Sequence, residues 1–332
     1  MPLRHRDLDA RLLHLLHQSR SAGIALSKLA TALGSTPEAV TQRLNELAKL
    51  GYLVESDPHQ GCRLVRTPNA LHADDLYARI GKVQTIGRDI RVFSETTSTN
   101  DVAERLATDG VEEGVVVFAE SQTRGRGRLG RTWVSTPRTG LWFSILLRPR
   151  LTPQAVTRLT IGAATSLARA IEKQLGIAPE IKWPNDLLLN GKKIVGILTE
   201  MNAELDSVRH VILGVGINVN QTGNDFPDDL KPIATSLRLH TGGEIDRPAL
   251  AAAALRELDT DYGKILNGEF ASVSEEWAER CATVGQSVSI RMGDRLITGR
   301  CESLDPDGAL LVRTEHGHLE RVTGGDVTVL KE

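Results

Sequence analysis

A chain of 332 residues exceeds what one ordinary hydrophobic core organises, so two or three domains are expected. With 40% hydrophobic and 25% charged residues it has a soluble globular make-up, and no run of about eighteen apolar residues suggests a membrane-spanning helix. A net charge of −2 excludes a generic polyanion binder, while three scattered cysteines (Cys62, Cys281, Cys301) without a CxxC pair argue for reduced thiols in a cytoplasmic protein.

The opening Met1–Asp9 segment mixes charges without an apolar run, unlike a signal peptide. Leu12, Leu13, Leu15 and Leu16 then form one helical face, and Leu26–Leu33 a second short helix. Gly34-Ser35-Thr36 is a turn in which either Ser35 or Thr36 can cap the next helix, with Pro37 in its first turn. That third helix carries Val40, Leu44, Leu47 and Leu50 inward and stops at Gly51. Two short β stretches, Tyr52–Glu55 and Cys62–Arg66, are joined by Ser56–Gly61. Helix, helix, turn, helix, hairpin is the winged helix-turn-helix order, expected over residues 1–66. Thr67-Pro68-Asn69 reads as a linker.

Residues 67–281 alternate helical and β stretches, which implies a mixed α/β domain and an α+β chain overall. Strands are expected at Ile90–Phe93, Gly114–Glu120, Leu141–Leu147, Leu187–Leu189, Ile194–Thr199 and Val208–Val219. Helices are expected near Asn100–Ala107, Pro153–Leu175 and from Asp246 to about Asn267. Asn190-Gly191 is a strong signal for a tight hairpin. From 282 to 332, short β runs separated by Gly- and Asp-containing turns predict a small five-stranded, SH3-like β-barrel.

Charge is unevenly distributed. Ser121–Ile171 contains no Asp or Glu but holds Arg124, Arg126, Arg128, Arg131, Arg138, Arg148, Arg150, Arg158 and Arg169, which points to an anion site within it. Its centre, Gly125-Arg126-Gly127-Arg128-Leu-Gly130-Arg131-Thr-Trp133, satisfies GxGxxG literally. A dinucleotide fingerprint needs a helix opening at the third glycine and an acid about twenty residues on, whereas Gly130 precedes a strand-like stretch and no acid appears before Glu172. Two readings remain: a basic mobile surface loop, or a loop whose glycine N–H groups and arginines grip phosphate or carboxylate and close over a ligand.

Lys182-Trp183-Pro184-Asn185-Asp186 puts a cation, an amide and a carboxylate at one strand end, although Trp-Pro by itself is equally consistent with packing. In Gly191-Lys192-Lys193-Ile194-Val195-Gly196, alternation allows only one of the two lysines to face a site, and Gly196 permits a close approach to the sheet. Gly214-Val-Gly216-Ile217-Asn218 is a weak signal alone.

Together with Ser98-Thr99-Asn100 and Ala234–Leu237, these motifs in this order resemble the bifunctional biotin–protein ligase and biotin-operon-repressor family. The resemblance covers essentially the whole chain. It implies ATP-dependent activation of biotin to biotinoyl-5′-AMP, with Mg²⁺, and transfer to a lysine of a biotin carboxyl carrier protein of a biotin-dependent carboxylase. It further implies repression of biotin genes by a homodimer on operator DNA, promoted by ligand, with the adenylate as corepressor.

By the same resemblance, Ser98, Thr99, Asn100 and Gln122 bind the ureido ring, helped by Arg126, Gly127 and Arg128. Lys193 meets the biotin carboxylate and the α-phosphate. Arg128, Arg131, Trp133, Lys182, Asn185 and Asn218 serve the nucleotide, and Lys193, Arg126, Arg128, Lys182 and Asp186 carry the chemistry, with Asp186 the candidate to orient the incoming lysine. Ser98-Thr99 also suits a helix N-cap. One departure stands out: Pro227–His240, where some family members supply an adenine-stacking aromatic, has no Phe, Tyr or Trp, and Phe226 is only adjacent. For DNA, Ser35, Thr36, Thr41, Gln42 and Arg43 are the candidates, with Glu38 and Asn45 also facing out; the alternative is a helix-turn-helix used only for packing. Two other functions compete: a ligand-sensing regulator with an inactive catalytic domain, and a ligase for lipoate or another acyl group.

Overall fold

The computed structural model describes residues 5–19, 22–57 and 59–330, so Met1–Arg4 of the charged opening segment and Pro58 of the hairpin connection lie outside them. Contacts divide the chain into two compact units, one running through Lys82 with Asp246–Ala252, the other Val83–Ile245 with Ala253 onward.

The first unit begins with α1 (His5–Gln18), α2 (Leu26–Leu33) and α3 (Pro37–Lys49). Gly34 ends α2 in the left-handed conformation, φ 63°, which a residue without Cβ adopts freely. Thr36 caps α3, its hydroxyl accepting from Ala39 N–H at 3.3 Å. Because α3 stops at Lys49, Leu50 falls on the turn at Gly51 and is exposed rather than inward-facing. An antiparallel pair follows, β1 (Leu53–Asp57) with β2 (Gly61–Arg66). Leu12, Leu13, Leu16, Leu29, Val40, Leu47 and Leu64 form the shared core.

This unit does not end at Arg66. Helix α4 (Ala73–Ile80) belongs to it, tied to α1 through Ala78 O, which His14 contacts at 2.8 Å, and through fully buried Asp75. Asp75 meets His17 Nε2 at 2.7 Å and Arg79 Nε at 2.8 Å. The expected linker is likewise built in: Thr67 Oγ1 accepts from Arg79 Nη2, and Asn69 Oδ1 from Arg247 N–H.

The second unit contains β3 (Asp89–Phe93), α5 (Thr99–Thr108), β4 (Val115–Ala119), β5 (Leu141–Leu147), α6 (Thr157–Leu175), β6 (Glu180–Lys182), β7 (Asp186–Leu189), β8 (Lys192–Glu204) and β9 (Ser207–Ile217). These strands make one mixed sheet ordered β3-β4-β5-β9-β8-β7-β6, parallel between β3 and β4 and antiparallel elsewhere. The Asn190-Gly191 turn takes φ 50° and 73°, the left-handed pair that a two-residue hairpin needs. Helix α5 packs Ala103 and Ala107 on Val115, Val117, Leu146 and Ile212.

Beyond α7 (Leu237–Thr241), α8 (Arg247–Leu266) and α9 (Phe270–Arg280) lies a separate five-stranded antiparallel sheet. It comprises β10 (Ser287–Met292), β11 (Arg295–Leu304), β12 (Leu310–Thr314), β13 (Leu319–Val322) and β14 (Asp326–Val329), ordered β13-β12-β11-β10-β14. The boundary at 282 therefore marks a change of sheet but not of compact unit, and Arg158 on α6 holds Asp307 at 2.9 Å.

The acid-free stretch does not form one basic face. Arg169 is held by Glu257, Asp261 and Glu276, Arg148 donates to the carbonyls of Ala107 and Val111, and Arg131 pairs with Asp326. Acids distant in sequence supply the missing charge. Among the described residues no helix is long and apolar enough to cross a membrane.

Candidate active site

The glycine-arginine loop springs from the end of β4 and folds back as a small hairpin. Thr123 and Arg124 N–H donate to the carbonyls of Thr96 and Thr97, Trp133 N–H to Gly125 O, and Gly127 N–H to Arg131 O. Residues 131–135 are not a strand; only an isolated bridge between Arg126 and Thr132 forms. A Cβ on Gly125 would collide with Trp133 O, so the hairpin can close this tightly only with glycine.

Trp133 then lies against the sheet over Gly196 and Gly216, which are paired across β8 and β9. A Cβ at either glycine would stand 2.5 Å from the indole. The two glycines thus create a slot in which an aromatic ring lies flush with the backbone. Neighbouring Gly214 does the same for Asn100.

Around this slot are two cavities. The narrow one, about 50 Å³, is lined by Ser98, Thr99, Asn100, Gln122, Arg126, Gly127, Arg128 and Lys193, together with Gly196–Leu198 and Gly214–Gly216. Every residue expected to hold biotin is among them. Its walls are cross-linked: Gln122 Oε1 accepts from Thr99 N–H at 2.8 Å, and Gln122 Nε2 donates to Ser135 Oγ at 2.8 Å. Ser144, wholly buried on β5, donates from Oγ toward Thr99 Oγ1 and Asn100 Oδ1. Ser98 occupies the N-cap position of α5, but its hydroxyl makes no capping bond.

The wide cavity, about 520 Å³, collects the expected nucleotide residues Arg128, Arg131, Trp133, Lys182, Asn185 and Asn218, and also Asp186. Lys182 has no carboxylate within 4 Å among the described residues. Asn185 Oδ1 accepts from Arg128 Nη1 at 2.9 Å, and its amide donates to Ile197 O. Burial holds the Arg128 guanidinium below its usual range, against the pull of Asp186 and Asp326.

Lys193, Arg128, Gly127, Trp133 and Asn185 line both cavities. Lys193 Nζ is 2.6 Å from Asp186 Oδ1 and 5.2 Å from the centroid of the Trp133 ring. Lys192, the alternate residue, is exposed and donates to Lys231 O. Lys193 N–H donates to Ile233 O and its carbonyl accepts from Thr235 N–H, so the segment after Phe226 is laced to the start of β8.

Several lining residues carry no local sequence signal. Gln221, Leu230 and Ile233 reach the wide cavity beside Ala234 of the family motif, as do Gly325–Thr328 from β14 and the turn before it. Phe226, adjacent to the segment that lacks an aromatic, lines it too. In α3, Thr41, Gln42 and Asn45 are exposed, whereas Arg43 turns back to Asp9 on α1 at 2.9 Å and is not a free outward group. Ser35 is half-buried and Thr36 is occupied as the cap.

A family model described as the biotin/lipoate A/B protein ligase family matches residues 92–218, and one for the biotin protein ligase C-terminal domain matches residues 283–330. A Bacillus subtilis protein named bifunctional ligase/repressor BirA is 38% identical over 317 residues, 95% of this chain and 97% of its own. The chain belongs to the biotin protein ligase family. A family member from Mycobacterium tuberculosis, biotin–[acetyl-CoA-carboxylase] ligase, is 33% identical over 74% of this chain and 90% of its own. The solved biotin protein ligase of Aquifex aeolicus, in complex with biotin and ATP, superposes with a TM-score of 0.63 at 31% identity, covering 74% of this chain and 100% of its own.

Proposed function

We propose that this chain is a biotin–protein ligase that activates biotin with ATP, transfers it to a lysine of a carboxylase carrier protein, and represses biotin genes. The observation that carries the reading is Lys193, whose side chain lines both the narrow cavity and the wide one. Biotin seats its ureido ring among Ser98, Thr99, Asn100 and Gln122, and its carboxylate reaches Lys193. The α-phosphate of ATP meets the same ammonium and Arg128, which offset charge as the carboxylate oxygen attacks phosphorus and pyrophosphate leaves. Lys182 and Arg131 serve the outgoing phosphates, and Trp133 and Phe226 offer flat surfaces to the base. Mg²⁺ would arrive on the phosphates of ATP, as part of the substrate.

Transfer then requires a neutral acceptor amine, and Asp186 is placed to orient it. The closed loop shields the mixed anhydride from water. A lipoyl ring has no ureido N–H or C=O with which to join the hydrogen-bonded groups of the narrow cavity, so it forgoes the polar contacts that biotin gains there. Biotin is therefore the substrate favoured. We read the first unit as a winged helix-turn-helix, with Thr41, Gln42 and Asn45 of α3 toward operator DNA, the C-terminal sheet as an SH3-like barrel, and the repressor as a ligand-promoted homodimer.

Purified protein with ATP, Mg²⁺ and biotin should release pyrophosphate and label a biotin carrier domain. Pyrophosphate appearing only with lipoate or octanoate would remove the substrate assignment. Gel shifts with upstream DNA should tighten when biotin and ATP are added together; DNA binding indifferent to both would remove the corepressor role.

A further inference from the structure

Glu200 lies on β8 two residues beyond Leu198, which lines the narrow cavity. Its Oε2 accepts from Asn100 Nδ2 at 2.7 Å and from Arg126 Nη2 at 2.8 Å. The other terminal nitrogen of Arg126, Nη1, is 2.7 Å from Asp101 Oδ1 in the first turn of α5. One guanidinium thereby joins the loop to a helix and to the sheet, the two elements that form the cavity walls beneath it. We infer that Glu200, with Asp101, is a positioning residue that holds the Gly125–Arg128 loop closed over the narrow cavity through Arg126. The Arg126 side chain is then a clasp and not an anion ligand. This inference rests on the reading that the narrow cavity holds biotin.

The contrast with Arg128 supports the division of labour. Arg128 is desolvated and its hydrogen-bond partner is a neutral amide, so its charge is available to a phosphate. Arg126 meets two carboxylates and its positive charge is already answered. Glycines on both sides give the loop little side-chain contact of its own, so closure depends on the few side chains that do reach out. Glu200 also orients Asn100, whose Oδ1 accepts from Ser144 while its Nδ2 is held by the carboxylate. The clasp is reversible: Arg126 and Glu200 are 43% and 42% exposed, so salt screens their attraction and a ligand can still enter.

The test is Glu200→Gln in the full chain, read as pyrophosphate release with biotin varied at saturating ATP, at low and high salt. Glutamine can still accept from Asn100, so the substitution removes mainly the charge. The biotin KM should rise about threefold to fivefold, the scale of a half-exposed ion pair, with kcat and the ATP KM unchanged. Wild-type biotin KM should climb with salt, and the variant should lose that dependence. Arg126→Gln should raise the biotin KM at least as much, and adding Glu200→Gln to it should raise that KM no further. Asp101→Asn tests the clasp from its other side should Glu200→Gln not fold. The clasp is overturned if Glu200→Gln keeps the wild-type biotin KM at both salts, or if Arg126→Gln lowers kcat while Glu200→Gln does not. Thr99→Val, inside the cavity, separates the two claims. A raised biotin KM there with none in Glu200→Gln sinks only the clasp, whereas an unchanged KM in both sinks the cavity assignment.

Discussion

The two cavities that meet at Lys193 are built on opposite principles. The narrow one is walled by β8, β9, the start of α5 and the glycine-arginine loop, and its polar groups are already bonded to one another through Gln122, Thr99 and Asn100, with Ser144 of β5 behind them. On the reading proposed, such a site discriminates by hydrogen-bond pattern, because only a ring with its own donors and acceptors can join that network. The wide one is bordered by a loop, a laced segment and the edge of a second sheet, and it holds lysine and arginine groups suited to phosphate. In the function proposed, hydrogen-bond pattern would select the vitamin and the cationic groups of the wide cavity would meet the triphosphate. Gly127, Arg128, Trp133, Asn185 and Lys193 line both cavities, and in the function proposed the bond-making occurs there.

That contrast can be broken, starting at the shared wall. Lys193→Ala should lower biotin-dependent pyrophosphate release by about 100- to 1000-fold, the usual scale for a group stabilising transition-state charge. A thermal midpoint near wild type would confirm that folding survives, and near-normal turnover would strip Lys193 of its role. Next, Gly216→Ala forces a methyl group into the Trp133 indole; both cavities should suffer, with kcat/KM for biotin and for ATP falling about tenfold or more. A loss confined to one substrate would mean the two spaces are not coupled through Trp133.

A smaller and one-sided effect is expected from Gln122→Leu, which removes a bonded amide from the narrow wall. The biotin KM should rise about tenfold, while the ATP KM holds, when each is varied at saturation of the other. Asp326→Asn frees Arg131 at the exposed mouth of the wide cavity and should move the ATP KM by only about twofold, because exposed pairs contribute little.

The least effect concerns thiols beyond both cavities. Burial raises Cys281 and pushes Cys301 up to about 12, so both stay protonated near neutrality and should resist alkylation at pH 8 until the protein unfolds. Because their folded values lie above the unfolded ones, their contribution to stability is present below the ordinary thiol range. It should fade as pH rises beyond about 8.5. Rapid labelling of the folded protein would contradict this.

Much of the narrow cavity was legible in the linear chain, because its residues sit in short motifs whose spacing follows local geometry. Ser98–Asn100 opens a helix, Gln122 and the loop follow a strand, and alternation along β8 allows only one of the two lysines to face the site, which is Lys193, the one the family resemblance implied, with Lys192 outward. Less of the wide cavity could be read this way. Gly325–Thr328 comes from a different sheet almost two hundred residues beyond the loop, and nothing in its composition announces the meeting. The acid-free arginine run pointed to one anion site, yet Arg126, Arg131, Arg158 and Arg169 answer acids elsewhere, and Arg43 on α3 answers Asp9.

The sequence by itself determined what neighbouring residues decide among themselves. Gly34 turning the chain out of α2, Pro37 in the first turn of α3, the left-handed Asn190-Gly191 hairpin and the ordered motifs that mark the family all follow from backbone sterics and short-range spacing, while the choice of Thr36 over Ser35 as the cap came only with the structure. Only the tertiary structure decided which carboxylate answers which arginine, that α4 belongs with the first unit, and that Glu200 reaches both Asn100 and Arg126. Ion pairing and burial act through space across large sequence separations, so their partners are chosen by the packing of sheets and helices and leave no local pattern to read.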